Sequence, residues 1–374
     1  MKRLILNPRE ERRLLRGHAW AYRNEFASIP ECDDGETVDV YTADRRFVGR
    51  GFYQAAGGIA VRIMARHQAD TGAVWIRERI ADARAFRDRL FPDETVYRWV
   101  FGESDGLPGL VADRYGAAVA VESGCAFYAR HFGAIADAFM AHEGIEGVRL
   151  AMADRTVCAG TVPDPFEVDV DGIHAPVSFE SGQKTGLFLD QRTNWPLIRR
   201  FAKSARVLDG HCYRGMWSVH AALAGARETL GVDTSPPAIE AARRTAQRNG
   251  VAERCRFDIA DIAEVLARNE RYDVIVLDPP ALAKSRGQEE RALGLYQALN
   301  KAAMQSLVED GILITSSCSH FVRPETFLDV LKRAACAARR NACLIEMRGA
   351  APDHPVLLAM PETAYLKCAV LRIQ

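Results

Sequence analysis

The chain has 374 residues, of which 48% are hydrophobic and 26% charged, and its formal net charge is zero. This length suits two or three globular domains, and the zero charge excludes a uniformly basic surface as evidence for nucleic-acid binding. Nine scattered cysteines without a Cys-x-x-Cys pair argue against a disulfide framework and a structural zinc site, and no apolar run approaches the roughly 18 residues of a membrane span. We therefore expect no metal, no membrane contact and a reducing cytoplasm.

Residues 1–68 form the first region, in which short strand-like runs alternate with turns that contain Gly or Asp. The period-2 alternation at residues 37–41 and 58–63 predicts a small β-barrel or sandwich. The first 23 residues carry seven Lys or Arg against two Glu. Such an uneven charge indicates a separate task for this region.

The rest of the chain divides into two further regions. Residues 69–178 begin with a helix-like stretch at 73–90 and continue with hairpin-like runs, a pattern typical of an α+β domain. Residues 179–374 alternate strand-like runs with Ala-rich helical segments, which predicts a parallel sheet with helices on both faces and ligands at the carboxyl ends of the strands. The main predicted strands lie at residues 206–208, 229–232, 273–277 and 311–315.

The first motif with chemical content follows the first of these strands. Asp209 ends the strand, Gly215 lies in the turn, and a helix should begin near Met216. Glycine lets the backbone approach a ligand, and a helix N-terminus favours an anionic group. Asp233 follows 24 residues later (233 − 209), close to the ~20 expected for an acid that binds ribose hydroxyls. Asp261 comes after a third strand-like run, which lies between the strands at 229–232 and 273–277, and its side chain could meet an adenine edge. The strands at 273–277 and 311–315 are thus the fourth and fifth.

Asp278-Pro279-Pro280 caps the fourth strand. Two successive prolines stiffen the backbone and remove donors, which fixes a loop beside a flat substrate. Nicotinamide dinucleotides and S-adenosylmethionine both carry a ribose that Asp233 could bind. The Asp-Pro-Pro sequence is usual in methyltransferases that hold a nucleobase and unusual in dehydrogenases, so it favours S-adenosylmethionine and leaves a dehydrogenase as a distant alternative.

Cys318 follows the fifth strand, within Thr315-Ser316-Ser317-Cys318-Ser319-His320. A free cysteine is most often a small buried hydrophobic residue, and this explanation suits the other eight. The polar neighbours of Cys318 and its position near the Asp-Pro-Pro loop instead indicate a chemical role.

Together these motifs resemble the family of 23S ribosomal RNA (cytosine-C5) methyltransferases that carry an N-terminal PUA domain. The run from Gln183 to Arg192 is the most specific mark of the resemblance. It is not a P-loop, because a P-loop has glycine directly before its lysine and this chain has Gln183 there. The resemblance covers nearly the whole chain and is compatible with a homodimer. It implies an α/β protein with a β-barrel PUA domain at 1–68, a small α+β middle domain at 69–178 and a Rossmann-like class I methyltransferase domain at 179–374.

The implied cofactor is S-adenosylmethionine, and one departure from the family concerns its site. Where the family reads close to Cys-Tyr-Thr-Gly-Gly-Phe, this chain reads Cys212-Tyr213-Arg214-Gly215-Met216-Trp217, so close backbone approach is left only at Gly215. The departure supports an alternative function, that of an RNA-binding assembly factor with a degenerate cofactor site. The predicted cofactor-binding residues are Asp209, Cys212, Gly215, Asp233, Asp261, Lys184, Thr185 and Arg192.

The sequence thus predicts methyl transfer to carbon 5 of a cytosine in ribosomal RNA. Carbon 5 is not nucleophilic enough alone, so the Cys318 thiolate is expected to add to C6. Asp278 is expected near N3 and N4 to stabilise the charge that develops there. A further alternative is methylation of an exocyclic purine nitrogen, which needs no cysteine and commonly places an aromatic residue where this chain has Ala281. The residues expected to contact RNA phosphates include Arg12, Arg13 and Arg16.

Overall fold

The structure is a computed structural model that describes residues 1–152, 155–180, 185–283 and 286–374. These residues form two compact units. The first comprises Met1–Asp164, Thr185 and Pro352–Thr363, and the second comprises residues 165–180, Gly186–Ala351 and Ala364–Gln374. The units group the chain by contact and do not test the domain limits at residues 68 and 178, which stay predictions.

The N-terminal part of the first unit is a mostly antiparallel sheet. Its elements are β1 (Lys2–Leu6), α1 (Glu11–Leu15), β2 (Trp20–Tyr22), a 3-10 helix (Arg23–Glu25), β3 (Phe26–Ser28), β4 (Thr37–Tyr41), β5 (Phe47–Tyr53) and β6 (Ile59–Ala65). The strand order is β2-β6-β5-β4-β1-β3, and β1 and β4 run parallel. Because successive side chains of a strand point to opposite faces, Val38 and Val40 share a buried core with Leu4 and Val61.

The remainder of the first unit combines helices with a second sheet. Its elements are α2 (Ala73–Leu90), β7 (Val96–Phe101), a 3-10 helix (Gly102–Asp105), β8 (Leu110–Tyr115), β9 (Ala118–Ser123), α3 (Ala126–Arg130), α4 (Phe132–Met140), β10 (Gly147–Ala151), β11 (Thr156–Gly160) and a later 3-10 helix (Pro361–Thr363). The strand order is β11-β10-β9-β8-β7. The helix predicted at 73–90 is confirmed, and it buries Ile76, Ile80 and Ala83 at the three- and four-residue spacing of one helix face.

Buried arginines connect the segment Pro352–Thr363 to the rest of the first unit. The guanidinium of Arg87 donates two hydrogen bonds to the Asp105 carboxylate, at 2.6 and 2.8 Å, and one to the Asp353 carbonyl at 2.7 Å. The Asp353 carboxylate accepts from the backbone N–H of Arg98 at 2.9 Å. Because buried charges need partners of this kind, these contacts fix the returning segment in place.

The second unit contains the predicted parallel sheet. It begins with a hairpin, β12 (Phe166–Val170) and β13 (Ile173–Val177), and two 3-10 helices (Leu189–Gln191 and Trp195–Arg200). The sheet and its helices follow: β14 (Arg206–Gly210), α5 (Met216–Leu223), β15 (Glu228–Asp233), α6 (Pro236–Arg248), β16 (Cys255–Ile259), α7 (Ile262–Leu266), β17 (Tyr272–Leu277), a 3-10 helix (Arg286–Gln288), α8 (Glu289–Ser306), β18 (Leu307–Ser317), α9 (Pro324–Ala338), β19 (Ala342–Arg348) and β20 (Lys367–Ile373).

The sheet order is β16-β15-β14-β17-β18-β20-β19. The strands from β16 to β18 pair in parallel, whereas β20 is antiparallel to both of its neighbours. Central strands are largely apolar, as in residues 274–277 of β17, because helices cover both faces of a parallel sheet. The carboxyl ends of β14, β15, β17 and β18 therefore lie at one edge. Within the described ranges, no helix has the length and apolar character that a membrane span requires.

Candidate active site

The turn between β14 and α5 is held in an unusual backbone conformation. The φ angle is positive at His211 (61°), Tyr213 (48°) and Gly215 (75°). A left-handed conformation costs a residue with a side chain roughly 1–2 kcal/mol, and such strain is concentrated at functional sites. A Cβ on residue 215 would lie 2.9 Å from the Phe257 ring, so this position requires glycine. Glycine at residue 215 is thus required by the left-handed backbone and by packing against Phe257.

Asp209 lies buried beneath this turn, at the end of β14. Its Oδ2 accepts hydrogen bonds from the Ser218 amide at 3.1 Å and the Ser218 hydroxyl at 2.7 Å. Its Oδ1 is buried and has no hydrogen-bond partner among the residues that the structure describes. Burial raises the pKa of Asp209 to about 7. A buried acceptor without a donor is costly, so the site lacks a donor group at this point.

Asp233 ends β15 and faces the same turn. Its two carboxylate oxygens accept from the backbone amides of Tyr213, at 3.1 Å, and Ser235, at 2.9 Å. These bonds fix the carboxylate, and each oxygen keeps a further lone pair for a hydroxyl. Asp261 is exposed and caps α7 by accepting from the Ala263 amide at 2.8 Å. Burial lowers the pKa of His211. The negative charges of Asp233 and Asp261 oppose this shift, because they favour the protonated histidine.

Arg214 and Met216, the residues that depart from the family sequence, are both buried. The guanidinium of Arg214 donates to the Gly186 carbonyl at 3.0 Å and to the Pro176 carbonyl at 2.7 Å. The Tyr213 hydroxyl donates to the same Gly186 carbonyl at 2.8 Å. Arg214 therefore has a structural task of its own, which ties the turn to the end of β13 and to the segment that follows residue 185.

Asp278 follows β17 and accepts two side-chain hydrogen bonds. Gln191 Nε2 donates to Oδ1 at 2.8 Å, and the indole N–H of Trp217 donates to Oδ2 at 3.3 Å. Gln191 is itself oriented by Ser316 at 3.1 Å and by Asn194, whose amide donates to Gln191 Oε1 at 2.7 Å. Burial, and then the charge of Asp190, raise the pKa of Asp278 to about 6. This carboxyl group can therefore exchange a proton near neutral pH.

Cys318 follows β18 directly and is half-buried. Its Sγ lies 3.8 Å from the carbonyl oxygen of Pro279, within the Asp-Pro-Pro loop. The predicted proximity of Cys318 to that loop is thus present. Cys212, the other candidate thiol, is buried in the cofactor turn, and burial raises its pKa well above the ordinary value for cysteine. The Cys212 sulfur therefore stays protonated and is a poor nucleophile.

Three of the predicted cofactor-binding residues lie in the run from Gln183 to Arg192, and the structure describes two of them. Lys184 lies outside the described residues. The Thr185 hydroxyl, in the first unit, donates to the Asp113 carboxylate, which also pairs with Arg98. Arg192, in the second unit, is fully buried, and its Nη2 donates to Asp171 at 2.6 Å in the hairpin turn between β12 and β13. The contacts described for Thr185 and Arg192 are thus with carboxylates of the chain itself.

Comparison with known proteins gives matches over both ends of the chain. A PUA-like domain family matches residues 4–66 and a methyltransferase domain family matches residues 201–347. The proteins named ribosomal RNA large subunit methyltransferase I from Pseudoalteromonas atlantica and Shewanella denitrificans are 33% and 34% identical over 393 and 405 residues, with 99% of each chain covered. A solved putative methyltransferase complexed with SAH has the same fold, with a TM-score of 0.88 at 20% identity over 100% of both chains.

The chain belongs to the ribosomal RNA large subunit methyltransferase I family. The predicted fold class is confirmed, with a PUA-like domain at the N-terminus and a class I methyltransferase domain toward the C-terminus. The predicted cofactor, S-adenosylmethionine, is confirmed for a methyltransferase of this family. Asp209 Oδ1 fits this cofactor, because its amino group would supply the donor that the buried oxygen lacks.

Sequence reasoning did not single out three further residues at this edge of the methyltransferase sheet. Gln191 and Trp217 hold the Asp278 carboxylate, and Lys367 lies buried beside the segment that carries Cys318. Trp217 occupies the place where the family pattern has Phe, which cannot donate this hydrogen bond. A lysine directly before the apolar residues 368–371 of β20 was the available signal for Lys367.

We expect Asp233→Ala to weaken binding of S-adenosylhomocysteine roughly tenfold to over a hundredfold, since at least one charge-assisted hydrogen bond of ~1.5–3 kcal/mol is lost. Isothermal calorimetry on both proteins measures the change. Asp258→Ala is the matched control, because Asp258 lies on the neighbouring strand β16 and pairs with the exposed Arg256. Equal affinities of the parent and Asp233→Ala would remove Asp233 from the cofactor site.

Proposed function

We propose that the chain transfers a methyl group from S-adenosylmethionine to carbon 5 of a cytosine in large-subunit ribosomal RNA, through a transient bond between Cys318 and C6. The observation that carries this proposal is the contact between Cys318 Sγ and the Pro279 carbonyl at 3.8 Å. It brings a half-buried thiol to the loop that also carries Asp278. The curated relatives, named as ribosomal RNA large subunit methyltransferases, support ribosomal RNA as the substrate.

The chain's own residues would divide the reaction between them. The Cys318 thiolate adds to C6, which makes C5 enamine-like and able to attack an electrophile. S-adenosylmethionine supplies the electrophilic methyl group, and Asp209 and Asp233 are the residues proposed to hold it. A base then removes the C5 proton, and the Cys318–C6 bond breaks by elimination.

Asp278 is proposed to bind the base at N3 and N4. Because burial raises its pKa to about 6, a fraction of the carboxyl groups is protonated near neutral pH. The acid form can donate to N3 and its other oxygen can accept from the N4 amino group. Donation to N3 offsets the negative charge that develops on the ring when sulfur adds to C6. The ionised form would oppose both that charge and the thiolate.

Two observations weigh against the alternatives. Methylation of an exocyclic nitrogen needs no thiol, and Ala281 provides no aromatic ring after Pro280 to stack on the base. An assembly factor with a degenerate cofactor site is disfavoured by the contacts of Arg214, which bind carbonyls of the chain itself and leave Asp233 bonded to the turn.

The test of the proposal uses purified protein, labelled S-adenosylmethionine and ribosomal RNA from a strain that lacks this protein. Nucleoside analysis by mass spectrometry should find 5-methylcytidine at a single site. An N-methylated purine nucleoside would contradict the proposal in favour of the nitrogen chemistry. RNA binding without any methylation would contradict it in favour of the assembly factor.

The basic N-terminal segment is proposed to contact the RNA backbone. Arg12 and Arg16 are exposed. Arg13 was also expected to bind phosphate, but the structure pairs it with Glu25 at 2.7 Å and with the Trp20 carbonyl at 2.9 Å, so its contacts lie within the first unit. Arg12 and Arg16 are therefore the better candidates.

Reversing both charges, in Arg12→Glu/Arg16→Glu, should weaken RNA binding and flatten its salt dependence. Each phosphate contact contributes about −0.7 to the slope of log affinity against log salt on single strands, so the double variant should lose roughly one to two units. Fluorescence anisotropy at several salt concentrations measures the slope. Lys332→Glu/Arg333→Glu, two reversals on the exposed face of α9, should leave it unchanged. An unaltered slope in the N-terminal variant would show that these arginines only solvate α1.

A further inference from the structure

Lys367 is a buried lysine at the start of β20. The antiparallel ladder between β18 and β20 pairs it with Ser317, the residue before Cys318. Its side chain is buried, and Nζ donates to the backbone carbonyls of Ser319 at 2.8 Å and Tyr365 at 2.7 Å. The amine is thus fixed to the backbone one residue beyond Cys318. Its position is set by strand pairing and two short hydrogen bonds rather than by a flexible surface contact.

The charge of Lys367 has little to balance it. A buried ammonium is costly unless a negative group compensates it, and among the described residues no carboxylate forms an ion pair with Lys367. Burial lowers the pKa of Lys367 to about 8, and among the described residues the negative charge of Cys318 opposes this shift by favouring the ammonium. The lysine and the thiolate therefore stabilise each other.

Among the residues that the structure describes, Tyr296, Asp278 and His320 are further ionisable groups near Cys318. Tyr296, from α8, lies with its hydroxyl 3.1 Å from Ser319 Oγ, and burial raises the pKa of its phenol. Asp278, from the end of β17, is neutral or negative. The His320 ring lies beside the Tyr365 ring, with centroids 5.1 Å apart and the planes tilted by 36°. Of these three groups, only His320 could carry a positive charge near Cys318, and only when its ring is protonated.

We propose that the Lys367 ammonium is a counter-ion of the Cys318 thiolate and keeps this cysteine ready to attack C6 of the target cytosine. The thiol proton is lost to solvent, and the positive charge already present on Nζ balances the charge left on Sγ. When sulfur bonds to carbon, the negative charge leaves Sγ, and Lys367 keeps its hydrogen bonds to the two carbonyls. Lys367 acts through Cys318 and is therefore a positioning residue. The catalytic part of this inference rests on the proposed function.

The first test measures the thiolate directly, without RNA or cofactor. Iodoacetamide is allowed to react with the full chain across a range of pH, and peptide mass spectrometry follows Cys318 beside the exposed Cys336 as an internal reference. In the parent, alkylation of Cys318 should be half-maximal at least about one pH unit below that of Cys336. In Lys367→Met the midpoint for Cys318 should rise by about one to two units, and its rate at neutral pH should fall roughly tenfold or more.

Two controls separate charge from packing. Lys367→Arg keeps the cation and should restore the low midpoint, whereas a merely structural role would not depend on charge. Lys332→Met, the same substitution at an exposed site of α9, should behave as the parent. If Lys367→Met does not fold, the alkylation midpoints of Cys318 and Cys336 in the parent and in Lys367→Arg still test the proposal. Equal midpoints for the two cysteines in the parent, or equal Cys318 midpoints in the parent and Lys367→Met, would overturn the proposal.

The second test uses RNA that carries 5-fluorocytidine at the target site, on which the covalent adduct accumulates. Lys367→Met should form it roughly tenfold or more slowly near neutral pH and approach the parent rate at high pH, where the thiolate forms unaided. An unchanged rate in Lys367→Met, with adduct formed by the parent, would overturn the role of Lys367 and leave the proposed function standing. Absence of adduct in the parent, with Lys367-dependent alkylation, would instead contradict the proposed function and leave the ion pair standing.

Discussion

Cys318→Ala is expected to lose at least about a thousandfold in methylation rate, because removing a covalent nucleophile commonly costs more than this. Single-turnover incorporation of labelled methyl into ribosomal RNA measures the loss. The binding of S-adenosylhomocysteine and of RNA should stay within about twofold of the parent, since the variant changes only the bond-forming atom.

The matched control for this variant is Cys336→Ala, which makes the same substitution at an exposed cysteine of α9 and should keep the parent rate. A Cys318→Ala protein that retained most of its methylation rate would show that carbon 5 is not activated through this sulfur. A loss shared by both variants would point to a general effect of handling or folding.

The second large effect is expected at Asp278, and two substitutions separate its roles. Asp278→Asn keeps a donor and an acceptor for N3 and N4, so KM should change little. It cannot transfer a proton, and kcat should fall about a hundredfold to ten-thousandfold. Asp278→Ala removes the base contacts as well, and should raise KM in addition to lowering kcat. Steady-state kinetics on a short RNA substrate measure both constants.

The pH dependence of Asp278 has a definite sign. Burial raises its pKa to about 6, so the protonated form becomes rarer about tenfold per unit above that pH. The amide of Asp278→Asn does not titrate. The ratio of kcat/KM for the parent to that for Asp278→Asn should therefore fall as pH rises above about 6. A ratio that rises with pH would show that the ionised carboxylate is the working form.

Several site residues could be predicted from sequence because of where they fall along the chain. Asp209, Asp233, Asp278 and Cys318 each end or follow a strand of an alternating β and α pattern. The carboxyl ends of parallel strands meet at one edge, and the structure places all four residues there. Helix α2 was predictable for a similarly local reason, since its apolar spacing and the following Pro92 are visible in the sequence.

The remaining features depend on contacts between distant parts of the chain. Gln191 reaches Asp278 across 87 residues, and Lys367 comes to Ser317 only because β20 inserts between β18 and β19. Neither contact has a local pattern. The family motif likewise singled out Thr185 and Arg192, but a motif does not tell where a side chain is directed. Their described partners are Asp113 and Asp171, which no spacing rule could supply.

The most direct test of the central claim is covalent trapping on RNA with 5-fluorocytidine at the methylated position. Fluorine replaces the C5 proton and cannot be removed by a base, so elimination is blocked and the Cys318–C6 bond persists as a shifted band in a denaturing gel. The parent and Cys212→Ala should form this adduct, while Cys318→Ala should form none and make no 5-methylcytidine. An adduct that survives Cys318→Ala, or full methylation in the parent without any adduct, would contradict the assignment of Cys318 as the nucleophile.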